Sequence, residues 1–111
     1  MMNLNAGIWS ETSKRSGGAI QIGDCDVRAL AREFGTPLFV LDEKDLRNRI
    51  ASWKSEHARA FAAHAGSIYY AAKAFISIEL AKIINDSGIS LDVCTGGELA
   101  VARAAGFPGA K

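Results

Sequence analysis

SIYYAAKAFISIELAKIINDSGISLDV, residues 67–93, reads as a strand, a helix and a second strand. SIYYA is short and apolar on both faces. That pattern suits a parallel sheet covered by helices, or one closed into a barrel, where neither face meets water. ISIELAKIINDS then carries its apolar residues at helical spacing, Gly88 stops it, and ISLDV resumes the strand pattern. The alternation argues for an α/β architecture.

Working outward, GELAVARAA predicts one more helix, ending at Gly106. Upstream, Asp26 stands as a cap before VRALAREF, whose Val27, Leu30 and Phe34 share a face, and Gly35 follows as a stop. PLFVL, residues 37–41, is an apolar, β-rich run. Asp42 then takes an N-cap position before a long amphipathic segment in which Leu46, Ile50, Trp53, His57 and Phe61 recur at helical spacing, up to Gly66. Gly35, Gly66 and Gly88 each lead straight into an apolar run, as expected where helices end in a left-handed turn. Residues 1–19 mix Gly, Ser, Thr, Asn and charge without periodicity and read as a flexible arm. A closed eight-fold (β/α) barrel takes roughly 250 residues, so residues 20–111 are expected to supply only the N-terminal βα units of an incomplete barrel, with the chain ending mid-domain.

Composition narrows the function classes. The chain has 111 residues, 49% hydrophobic and 23% charged, as in ordinary globular proteins. Its 13 basic and 12 acidic residues are interspersed, giving net charge +1. Neither a nucleic-acid footprint nor a membrane-binding basic patch is present. The N-terminus lacks a signal pattern and no run suffices to span a bilayer, so a cytoplasmic location is expected. Cys25 and Cys94 form no CxxC and read as reduced thiols, with no metal site.

The chemistry concentrates at Lys73, which follows the strand SIYYA directly. At the C-terminal end of a barrel strand, catalytic side chains gather. A lysine desolvated among Tyr69, Tyr70 and Phe75 would have its ammonium form disfavoured, freeing the amine to condense with an aldehyde. The competing reading is a lysine that ends a strand and points into water. Asp92, ending ISLDV one strand along, reaches the same end of the sheet and can set the charge near Lys73, or else it caps the turn at Thr95, Gly96 and Gly97. Glu98 suits a helix start in any protein. Gly96 and Gly97 read as turn geometry rather than a phosphate cradle, Cys94 as a buried structural thiol, and His57 and His64 as packing or surface residues.

YYAAKA resembles the cofactor-lysine motif of pyridoxal-phosphate (PLP)-dependent decarboxylases on the alanine-racemase type of barrel. LDVCTGGELAVARAAGFP resembles the segment that follows it in the diaminopimelate decarboxylase family, and GTPLFVLDEKDLRNR, residues 35–49, resembles the entry to that barrel. The three stand in family order over about residues 20–110. The resemblance implies a partial PLP-binding (β/α)8 barrel and pyridoxal 5'-phosphate as cofactor. Lys73 would be the catalytic and cofactor-binding residue, with Asp92 as a second catalytic residue. It implies conversion of meso-2,6-diaminopimelate to L-lysine and CO2 in lysine biosynthesis, by a homodimer when full length. The residues that hold the phosphate and the pyridine nitrogen in that family do not map onto this chain, so the stretch alone is expected to be inactive. An ornithine or arginine decarboxylase of the same fold, or a non-catalytic PLP-binding barrel, remains the alternative.

Overall fold

The structure is a computed structural model that describes residues 4–5, 7–62 and 66–109. The chain divides into two compact units, Met1–Arg49 and Ile50–Lys111.

In the first unit, β1 (Lys14–Ser16), β2 (Ala19–Ile22) and β3 (Cys25–Asp26) form an antiparallel sheet in the order β1-β2-β3. Lys14 pairs with Gln21 and Ile22 with Cys25. The arm expected over residues 1–19 therefore contains a paired strand. Its sequence hid this because KRS has no apolar alternation, while Gly17 and Gly18, both at positive φ, supply the tight turn into β2. Asp26 caps α1 (Val27–Phe34) as expected, accepting the Arg28 N–H at 2.8 Å, and Gly35 closes the helix at φ 79°. PLFVL forms no strand, with Phe39 99% exposed. A strand exists only against a hydrogen-bonding neighbour, and the described residues offer this run none. Asp42 opens α2 (Glu43–Ala60) by accepting the Asp45 N–H. The preceding chain is tied to this helix start: the Thr12 hydroxyl donates to the Asp42 carboxylate and the Glu11 N–H to Asp45 Oδ1.

The second unit carries the α/β core. β4 (Tyr69–Ala71) and β5 (Ser90–Asp92) are parallel, with Tyr69 opposite Ser90, Tyr70 opposite Leu91 and Ala71 opposite Asp92. Between them runs α3 (Ile78–Asp86), whose first turn is capped by the Ser77 hydroxyl accepting the Leu80 N–H. Leu80, Ala81, Ile83 and Ile84 form its buried stripe, at the i, i+3, i+4 spacing of one helical face. They share the core with Ile89, Leu91, Ala102 and Phe107. Gly88 leaves α3 at φ 70°, and Lys54 donates from α2 to the Ser87 carbonyl at that helix end. α4 (Gly96–Ala104) ends in the same manner, Gly106 at φ 76° and the buried Phe107 returning its N–H to the Ala102 carbonyl.

The amphipathic stripe expected on α2 is only partly realised. Ile50 is buried, but Trp53 is 71% and Phe61 53% exposed, because the described residues supply no layer over that part of the face. α2 stops at Ala60, short of the Gly66 stop the sequence suggests. No helix among the described residues is long and apolar enough to cross a membrane.

Candidate active site

Paired residues of parallel strands point to the same face, and neighbours along a strand alternate. Tyr70 and Leu91 therefore share one face of the β4–β5 pair, and Tyr69, Ala71, Ser90 and Asp92 share the other. Leu91 is buried on the side of α3, while Tyr69 is 61% exposed and Asp92 is exposed. The helices cover one face and leave bare the face that bears Asp92.

Lys73 sits just past β4 in a 3-10 turn, Ala72–Ala74, at the C-terminal end of the strand, as the sequence implies. Its side chain is exposed, and none of the ion pairs among the described residues uses it. The desolvation expected from Tyr69, Tyr70 and Phe75 is thus not supplied by this stretch, since Tyr69 and Phe75 are themselves largely exposed. Only Tyr70 is half-buried, and its hydroxyl donates to the Phe75 carbonyl at 2.8 Å, across the turn that carries Lys73. Burial raises the Tyr70 phenol above its usual pKa of 10.0, so it stays protonated and able to donate at neutral pH. Sequence reading missed this bond. It counted Tyr70 as apolar bulk, and no pattern in YYAAKAF signals that the chain doubles back within reach of the hydroxyl.

Asp92 lies level with Ala71, two residues before Lys73, so register brings the two candidate residues to the same end of neighbouring strands. Asp92 is not the cap of the following helix. Thr95 is, its hydroxyl accepting the Glu98 N–H at 3.2 Å, while the Glu98 carboxylate accepts the Cys94 N–H at 2.7 Å. Glu98 thus ties the helix start back to the residue before its cap, which explains it locally. Cys94 is exposed rather than buried: β5 ends at Asp92, so strand alternation does not extend to it. Cys25 is also a free thiol. Gly96 and Gly97 open α4, and a Cβ at Gly96 would meet nothing within 4 Å. His57 lies in α2 with its ring 5.1 Å from that of Phe61, a packing role as expected. His64 lies outside the described residues.

These residues fit a pyridoxal cofactor in one respect that can be checked within the chain. A primary amine free of ion pairs stands at a strand end beside an uncovered sheet face, with a carboxylate on the neighbouring strand at the same level. An aldehyde needs such an amine, and a planar ring needs such an open face.

Comparison with known proteins also points to a pyridoxal-binding family. Residues 43–111 match the family described as pyridoxal-dependent decarboxylase, pyridoxal binding domain. The diaminopimelate decarboxylase of Mycobacterium bovis is 45% identical over 97% of this chain, and that of Bacillus subtilis 43% identical over 82%. The chain spans 23% and 20% of their lengths, respectively. Among solved structures, the diaminopimelate decarboxylase of M. jannaschii in complex with L-lysine superposes with a TM-score of 0.73 at 27% identity, covering 89% of this chain and 23% of that one. A protein of Aquifex aeolicus superposes with a TM-score of 0.67 at 31% identity, covering 87% and 23%. The α/β fold is accordingly part of a PLP-binding barrel, and the chain belongs to the pyridoxal-dependent decarboxylase family, within its pyridoxal-binding domain.

Proposed function

We propose that this stretch serves a PLP-dependent diaminopimelate decarboxylase, which converts meso-2,6-diaminopimelate to L-lysine and CO2, with Lys73 as the residue that holds the cofactor. In this reading the stretch contributes the first βα units of a (β/α)8 barrel, and the full-length protein is a cytoplasmic homodimer acting on a small amino acid. The observation that carries the reading is the coincidence of a free amine at position 73 with extensive identity to proteins of that name over nearly the whole chain.

PLP, when bound, supplies an electron sink for the charge left on the α-carbon as CO2 departs. The remaining tasks fall to this chain's own side chains. Lys73 would hold the cofactor through its amine, and its Nζ would be the nearest group of this chain to carry a proton for the α-carbon. The Asp92 carboxylate stands on the neighbouring strand, opposite Ala71, where it would face the same end of the sheet. The bare face of β4 and β5, with Ala71 beside Asp92, leaves room for a planar ring because Ala71 has no bulk to fill it.

The test is to express the whole gene product, supply PLP, and measure CO2 release from meso-diaminopimelate, ornithine and arginine in parallel. Release from meso-diaminopimelate with formation of lysine is expected, with Lys73→Ala lowering turnover by roughly a thousandfold and Asp92→Asn by less. Release from ornithine or arginine instead would move the assignment to a sister decarboxylase. Full activity in Lys73→Ala would end the Lys73 assignment.

A further inference from the structure

Lys73 is carried by a turn of three residues, and a long side chain on a short turn is only as well placed as the turn itself. Three contacts hold that turn. Ala71, just before it, is fixed by its register with Asp92. Ser77, shortly after it, is fixed as the cap of α3. Between them the Tyr70 hydroxyl reaches forward five residues to the Phe75 carbonyl, closing a loop around Ala72–Ala74. Tyr70 shares its face with Leu91, on the helix-covered side of the sheet, so its ring is anchored while its hydroxyl spans the exposed turn. Tyr69 offers an internal contrast, since its ring is 61% exposed and lies on the opposite face.

We infer that Tyr70 is a positioning residue for Lys73: its hydroxyl, bonded to the Phe75 carbonyl, fixes the 72–74 turn and thereby the point from which the Lys73 amine meets an aldehyde. The inference rests on the reading of Lys73 as the cofactor lysine. The bond joins a side chain to the main chain, so no substitution at position 75 replaces it. In this role the phenol acts through the turn, by its bond to the Phe75 carbonyl.

The experiment compares the full-length wild type with Tyr70→Phe and with 4-aminophenylalanine at position 70. Each protein is incubated with PLP and reduced with borohydride, and the share of label on Lys73 is mapped against that on the other lysines. Tyr70→Phe is expected to lower the Lys73 share by roughly three- to tenfold, the effect of one hydrogen bond. 4-Aminophenylalanine at position 70, which returns a donor, should restore the share. If Tyr70→Phe fails to fold by circular dichroism, 4-methoxyphenylalanine takes its place, keeping ring and oxygen but having no proton to give. A wild-type share of label on Lys73 in the donor-free variants overturns the inference and leaves the Lys73 reading standing. Absence of label from Lys73 in the wild type overturns both.

Discussion

Asp26 shows how much a single side chain does at a helix start. Its carboxylate takes the Arg28 guanidinium and the Arg28 N–H together, and the guanidinium hydrogen bond is the larger influence in holding its pKa down, from 3.8 to about 2. A group whose folded pKa is depressed stabilises the fold above its unfolded pKa, and that contribution fades as pH falls through the folded value. Wild type should therefore melt above Asp26→Ala at neutral pH, with the gap narrowing between about pH 4 and pH 2. A gap that stays constant across that range would mean the side chain acts only as an uncharged cap. At the other end of the chain, Thr95 and Glu98 divide the same task, and this frees Asp92 from the capping role its position suggested.

At the scale of elements, α3 is the piece on which the second unit rests, because it carries the largest fully buried side chains, Leu80 and Ile84. Leu80→Ala should cost about 2–5 kcal/mol in urea unfolding, through lost transfer energy and the cavity left behind. Ile78→Ala, at a site 43% exposed, should cost less than half as much. Equal losses would show that the core is not centred on that stripe. Elements with a complete local signature were legible in sequence: α1 between Asp26 and Gly35, α3 with its apolar stripe and Gly88, and the two parallel strands flanking it. Less legible were elements whose identity depends on a distant neighbour. PLFVL has the composition of a strand and no partner among the described residues, whereas KRS has none of that composition and is paired through a glycine turn. The site divides along the same line. Lys73 and Asp92 could be placed at neighbouring strand ends by counting, but the Tyr70–Phe75 bond and the exposure of Lys73 depend on how the chain turns after β4.

Across the whole molecule, exposed apolar groups include the unpaired run and the bare face of the sheet. Phe39 and Val40 of the unpaired run and Tyr69 on the bare face of the sheet are all solvent-facing, and the chain spans only 23% of the length of the Mycobacterium bovis relative. In the proposed full barrel these surfaces face neighbouring strands, and the Lys73 amine, exposed in this stretch, stands at the mouth of a pocket. Desolvation of that amine is then a property of the assembled protein rather than of β4 and its turn. The most direct test is to load the full-length protein with PLP, reduce it with borohydride, and identify the modified peptide by mass spectrometry. The account expects one dominant label, on Lys73 within SIYYAAKAF, lost in Lys73→Ala without transfer to another lysine. A dominant label on any other lysine, or equal labelling after Lys73→Ala, would contradict it.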